Sequence, residues 1–213
     1  MKNLKILIVD DHPLILEGLK SAFTVRGYTN IHKANNGLKA LQYLSESLFD
    51  VVILDIDMPK MSGMEVVKHI QDIPTKSIIL THHKENGYII QAKLLGANAY
   101  LLKDDSFQEV EKAVREIQDN KFYLSSSFKD EKLEQLDAQI KLLKNLSLAE
   151  QQVLKRISEG FETAEVATIL AVSKRTIHKH RSNIIQKLDL PSDRNALANY
   201  AQKNKQLIKE IFS

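Results

Sequence analysis

The sequence contains no cysteine. Disulfides, thiolate metal centres and cysteine nucleophiles are therefore excluded, and a reducing compartment is favoured. No apolar run approaches the ~18–20 residues that span a bilayer, so no membrane partner is expected. The opening MKNLKILIVDDH reaches two aspartates too early for a secretory signal, whose apolar region runs ~7–15 residues. The cytoplasm is thus the expected location. An excess of one charge is also lacking, with 30 Lys+Arg against 27 Asp+Glu and a net charge of +3. The distribution says more than the sum. Residues 146–213 hold 11 Lys+Arg against 7 Asp+Glu, whereas residues 1–125 hold 15 against 16. The basic excess sits at the C-terminal end, where a nucleic-acid contact would first be sought.

What remains is an ordinary globular composition of 213 residues, 43% hydrophobic and 27% charged, enough for one or two domains. The first 120 residues alternate β-rich runs with amphipathic helical segments. The strand-like runs are Leu4–Val9, Asn30–Lys33, Val51–Leu54, Ser77–Leu80 and Ala99–Leu102. Between them lie helical patterns at Pro13–Val25, Gly37–Ser47, Gly63–Asp72, Glu85–Leu95 and Phe107–Asp119. This alternation predicts a five-stranded, doubly wound parallel α/β sheet. The runs LKILIV, VVILD and SIILT are nearly all apolar, as strands covered on both faces are. The second run is the most polar and is placed at an edge.

Ser125-Ser126-Ser127 interrupts this pattern, and a charged segment without Gly or Pro follows. Leu133, Leu136, Ile140 and Leu143 form one helical stripe there. It fits either a linker helix docked on a neighbouring domain or a short two-stranded coiled coil. From Ser147 onward the pattern is helical: Ser147–Ser158, Thr163–Leu170, Lys174–Leu188 and Asp193–Asn204, with a tail that extends the last. Gly160 stands where a C′ glycine would, and Ser173 where an N-cap would. Short helices with tight connections make a small all-α helix-turn-helix candidate. The expected organisation is a domain over 1–121, a linker with a helix over 122–145 and a second domain over 146–213.

In open parallel sheets, ligands sit at the carboxyl ends of the strands. Here those ends carry Asp10-Asp11, Asp55-Ile56-Asp57, Thr81 and Lys103. Clustered carboxylates repel one another unless a cation neutralises them. Hard oxygen ligands without His or Cys at the strand ends favour Mg²⁺. A carboxylate beside Mg²⁺ can accept a phosphoryl group, and Lys and Thr can stabilise its oxygens. Phosphatases of the haloacid dehalogenase type use a D-x-D like Asp55–Asp57, but theirs usually lies on the first strand.

The run ILIVDDHPL…VVILDIDMPKMSGMEV…IILTHH…GANAYLLKD resembles the receiver domain of bacterial response regulators across roughly residues 1–120. The resemblance implies that Asp55 is the phosphoacceptor and that no substrate is turned over. It implies that Asp11, Asp55 and the backbone carbonyl of Asp57 bind Mg²⁺, assisted by Asp10. It further implies that Lys103 pairs with the acyl phosphate and that Thr81 and Tyr100 form a switch pair. Pro59 and Gly63 match the loop after the acceptor strand. Two departures stand out. His82 follows Thr81 where many receivers have a small residue, which narrows access. Asp104-Asp105 follow Lys103 without the proline many receivers carry, leaving that loop's conformation open. His12 either packs on or caps the following helix, or tunes the acidic pair.

The C-terminal run SKRTIHKHRSNIIQKL resembles the LuxR-type helix-turn-helix and fits its S-x-x-T-[VI]-x-x-H-x-x-x-I-x-x-K-L pattern at every fixed position. Together the two halves resemble the NarL/FixJ class. That class implies a histidine kinase as phosphodonor, and homodimers on phosphorylation that bind DNA at paired half-sites. Residues 173–188 hold Lys174, Arg175, Lys179, Arg181 and Lys187 and no acidic residue. Ile177, Ile184 and Leu188 share a core-facing side. His178, Lys179 and Ser182 are expected at base edges in the major groove. Ser173, Lys174, Arg175, Thr176, His180 and Arg181 are expected at phosphates. The family's N-K-E-I-A turn reads Thr163-Ala164-Glu165-Val166-Ala167 here, which removes one lysine contact. Glu150 matches a family glutamate and is expected to pair with Arg194.

Overall fold

A computed structural model describes residues 3–117, 121–128, 131–191, 193 and 195–212, with the side chains of residues 131–133, 206 and 210 left out. The chain forms two compact units, Met1–Asp130 and Glu131–Ser213.

The first unit alternates β1 (Lys5–Val9), α1 (Pro13–Val25), β2 (Asn30–Ala34), α2 (Gly37–Glu46), β3 (Val51–Leu54), α3 (Gly63–His69), β4 (Lys76–Thr81), α4 (Asn86–Leu94), β5 (Ala99–Leu102), α5 (Phe107–Glu116) and β6 (Tyr123–Leu124). The strands form one sheet in the order β2-β1-β3-β4-β5-β6, and every pairing is parallel. β3 and β5 are buried at every position, while β2 is exposed at its start and only half-buried along its middle, as the edge placement requires. Ile6, Ile8, Val51, Ile53, Ile78, Leu80, Ala99 and Leu101 join Leu16 and Phe23 of α1 and Val110, Ala113 and Val114 of α5 in one core. Side chains alternate across each strand, so the intervening residues serve the opposite face.

The sheet has six strands, not five. Tyr123 and Leu124 pair with Ala99 and Tyr100 on the far side of β5. A two-residue strand beside a serine run has no periodicity to betray it, and the pairing partner defines it. Residues 118 and 119, at the end of the expected fifth helix, lie outside the described residues.

The second unit contains α6 (Glu131–Lys144), α7 (Leu148–Ser158), α8 (Thr163–Ile169), α9 (Lys174–Lys187), α10 (Ala196–Lys203) and α11 (Lys205–Ile211). The α6 stripe turns inward within this unit: Leu136 and Leu143 are buried, Ile140 nearly so, and Gln139 donates to Asn204 Oδ1 at 2.8 Å. The side chain of Leu133 lies outside the described residues. The tail does not extend α10. The backbone leaves helical geometry at Asn204 and restarts as α11, whose Leu207 and Ile208 are buried. A capping box opens α7, with the Ser147 hydroxyl accepting from Glu150 N–H and Glu150 accepting from Ser147 N–H. Between α8 and α9, Ala171 takes a left-handed φ of 53° and Val172 N–H donates to the Ala167 carbonyl. This helix ending makes the tight turn without glycine.

Candidate functional site

The strand order reverses between β1 and β3, which places a crevice at their carboxyl ends. Asp10 follows β1, Asp55 follows β3, and Asp55 N–H donates to the Val9 carbonyl at 2.9 Å. Lys103, leaving β5, reaches across with Nζ 2.7 Å from Asp10 Oδ2 and 2.9 Å from Asp55 Oδ2. All three side chains are buried. The second Asp55 oxygen accepts from Ile56 N–H at 2.8 Å. Burial pushes the Asp55 carboxyl above its ordinary value and the Asp10 charge adds to this, even though Lys103 pulls the other way. Burial depresses the Lys103 ammonium, but its bonds to Asp10 and Asp55 outweigh that and hold it above the usual lysine value.

Asp11 lies beside this pair. Its Oδ1 is buried and accepts no hydrogen bond, although His12 Nδ1 is 3.0 Å away. An anionic oxygen left orphaned is costly. Asp10, Asp11, His12 and Asp55 offer ligand atoms that all lie within 4.8 Å of one another. A set dominated by carboxylate oxygen, with one buried oxygen that accepts no hydrogen bond, fits a hard divalent cation. His12 therefore faces the acids. Although it precedes α1, it makes no side-chain cap, and its Nδ1 is 3.1 Å from Asp10 Oδ1.

The metal contact expected of Asp57 is its backbone carbonyl, and its carboxylate lies outside this group. It is largely exposed and meets His83 Nε2 at 2.8 Å. The backbone turns between β3 and α3, so residues two apart diverge. Gly63, at the start of α3, packs on the acceptor strand: a Cβ there would sit 2.1 Å from the Asp55 carbonyl oxygen. Thr81 and Tyr100 are fully buried and converge on the backbone of His83. The Thr81 hydroxyl accepts from His83 N–H at 3.4 Å, and the Tyr100 hydroxyl donates to the His83 carbonyl at 3.1 Å. His83 also stacks on Tyr88 with centroids 3.9 Å apart. Sequence reasoning singled out His82 and missed His83. His82 is the exposed one, 3.9 Å from Asp104. The only sequence signal was adjacency to Thr81, which cannot say which imidazole turns inward.

In the second unit, Ile177 and Ile184 are fully buried and Leu188 nearly so, which fixes the outward face of α9. Ser173 caps the helix by accepting from Thr176 N–H at 3.1 Å. Ser173, Lys174, Arg175, His178, Lys179 and Ser182 are exposed. Thr176, His180 and Arg181 are half-buried, and His180 Nδ1 is buried without a hydrogen-bond partner. The Ser182 hydroxyl donates to the His178 carbonyl at 3.1 Å, so its own proton is already engaged within the helix. Glu150 is held by Lys187 Nζ at 2.7 Å and Ser147 N–H at 2.8 Å. Although burial opposes ionisation, these bonds hold its carboxyl down to about 2. Arg194, the expected partner, lies outside the described residues.

Comparison with known proteins decides the family. Residues 6–115 match the response regulator receiver domain, and residues 144–200 match the bacterial regulatory proteins of the luxR family. This chain is a response regulator. Its relatives include the transcriptional regulatory protein YdfI of Bacillus subtilis (strain 168), 35% identical over 93% of this chain and 96% of that protein. The uncharacterized transcriptional regulatory protein YhcZ of the same organism is 33% identical over 94% and 96%. Among solved structures, RcsB from Salmonella enterica serovar Typhimurium, bound to promoter rprA in the presence of the phosphomimetic BeF3−, matches with a TM-score of 0.62. That match has 25% identity and covers 94% of this chain and 99% of RcsB. As a response regulator, the chain is a DNA-binding transcriptional regulator with a receiver and a LuxR-type helix-turn-helix. Among its described residues no helix is long and apolar enough to cross a membrane.

Proposed function

We propose that Asp55 accepts a phosphoryl group from a partner histidine kinase and that this modification controls DNA binding through α9. The observation that carries the reading is the bridge from Lys103 to both Asp10 and Asp55, beside the orphaned Asp11 oxygen. Mg²⁺ held by Asp10, Asp11, Asp55 and the main-chain carbonyl of Asp57 would neutralise the carboxylates and the incoming phosphoryl oxygens. Asp55 supplies the nucleophilic oxygen: its bond to phosphorus forms as the donor's nitrogen–phosphorus bond breaks, and the electron pair leaves with the donor imidazole. Lys103 remains anchored by Asp10 and is in place to bind a phosphoryl oxygen. The Thr81 hydroxyl, an acceptor toward His83, keeps its proton free for another. Drawing Thr81 toward the phosphoryl group favours the inward position of Tyr100, which is bonded to the loop that Thr81 begins. The added charge thus biases a two-state surface around β4, α4 and β5. The phosphorylated form dimerises in the cytoplasm and sets two copies of α9 on paired half-sites. His178, Lys179 and Ser182 face base edges there, while Ser173, Lys174, Arg175, Thr176, His180 and Arg181 face phosphates.

Intact-mass analysis after incubation with acetyl phosphate and Mg²⁺ tests the first step. One phosphoryl group is expected on the wild type and none on Asp55→Asn. Equal labelling of both would refute the assignment.

A further inference from the structure

Two features that the sequence singled out, Asp104-Asp105 and the serine run, have no part in the chemistry above, yet the fold brings them together. Asp105 closes a turn around Lys103: its N–H donates to the Leu102 carbonyl at 3.0 Å, and its Oδ2 accepts from Leu102 N–H at 2.8 Å. Its other oxygen accepts from the Ser127 hydroxyl. The segment Tyr123–Phe128 is thereby tied to the turn that carries Lys103. It is tied again to Tyr100. Leu124 pairs with Tyr100 in the sheet, and Ser125 N–H donates to the Tyr100 carbonyl at 3.0 Å. Phe128 N–H folds back onto the Ser125 carbonyl, which sets the Phe128 ring 6.3 Å from the Tyr100 ring at 60°. Edge contacts of this kind are favourable between aromatic rings. Phe128 is only 8% exposed. A third tie comes from α5, where Glu109 accepts from the Tyr123 hydroxyl at 2.6 Å and from Ser126 N–H at 2.8 Å.

We propose that Phe128 is a positioning residue for Tyr100, and that the strap Tyr123–Phe128 senses the state of the Asp55 site through Tyr100 and the Lys103 turn. The inference rests on the phosphorylation reading above. The Tyr100 hydroxyl is fixed to His83, beside Thr81, and its ring meets the Phe128 ring in an edge contact. An inward Tyr100 and a seated strap therefore stabilise each other. Coupling of this sort is reciprocal: whatever holds Tyr100 inward seats the strap, and loosening the strap releases Tyr100. The strap runs directly into the chain leading to α6, so its seating is the first change that chain would meet.

Hydrogen exchange by mass spectrometry on the full chain tests this, with Asp55 occupancy read by intact mass on the same sample. At full occupancy, exchange in 121–128 is expected to slow at least several-fold. Unchanged exchange at full occupancy overturns the inference while leaving the phosphorylation reading intact. Absence of occupancy instead defeats that reading, and the sensing role with it. In unphosphorylated protein, Phe128→Ala is expected to speed exchange in residues 81–84 and 99–102, and Phe128→Leu to restore most of it. Protection of β1 and β3 serves as the folding control. If Phe128→Ala leaves residues 81–84 and 99–102 unchanged, Phe128 does not position Tyr100.

Discussion

Glu150→Gln isolates one buried charge in the DNA-binding unit. Glutamine keeps the capping box, which accepts either residue at that position, so the Ser147 N–H retains its partner. What disappears is the negative charge bonded to Lys187 at 2.7 Å. The carboxyl is held down to about 2 against an ordinary 4.5. At 1.36 kcal/mol per unit this corresponds to about 3 kcal/mol of stabilisation at pH 7. Lys187 is 41% exposed, so solvent screens part of this, and the expected loss is about 2 kcal/mol. Because the folded value is depressed, the contribution is complete above about 4.5 and fades as pH falls toward about 2. Urea unfolding of the full chain, followed by circular dichroism and by hydrogen exchange in α7 and α9, measures it. At pH 7 the loss appears as roughly 30-fold faster exchange in those helices where global opening of the unit controls exchange. A loss under about 0.5 kcal/mol at pH 7, or one that does not shrink below pH 4, would refute the reasoning.

Lys103→Met leaves Asp10 and Asp55 buried without their counter-charge, and the receiver should lose about 3 kcal/mol in thermal or urea unfolding. Millimolar Mg²⁺ should raise the melting temperature of the wild type and recover part of that loss, whereas chelator should leave the Asp11→Ala variant unchanged. Gly63→Ala drives a methyl group onto the Asp55 carbonyl and should destabilise by about 1–3 kcal/mol, while slowing acetyl-phosphate labelling. Lys179→Ala should cost about 1–3 kcal/mol of binding to a DNA site chosen by selection from random sequence, with the loss concentrated at one base position. A uniform loss across sequences would instead mark Lys179 as a phosphate contact.

The strands that carry the site were legible because each is a short apolar run ending in a polar residue. Once such runs are parallel, their carboxyl ends share one rim. Asp10, Asp11, Asp55, Thr81 and Lys103 follow from that rule without any knowledge of packing. The outward face of α9 was legible for a similar reason: Ile177, Ile184 and Leu188 fix its inward side by spacing alone. Side-chain direction beyond a strand end was not. Asp57 is two residues from Asp55 yet turns to His83, because the chain bends there and no periodicity survives a bend.

The amino-acid order by itself determined the two-part architecture, the strand sequence with β2 at an edge, and the acids and base that meet at the carboxyl rim. All of these rest on local periodicity and on signals within a few residues. Only the tertiary structure decided the sixth strand, the inward turn of His83, the choice of Lys187 as a partner of Glu150, and the closure of Asp105 onto Ser127. Each of those joins residues 20 or more apart in the chain or depends on a loop's path. The sixth strand pairs backbone groups left open at the edge of β5, whereas the other three are side-chain pairs set by which elements the fold brings side by side. No short window of sequence contains that information.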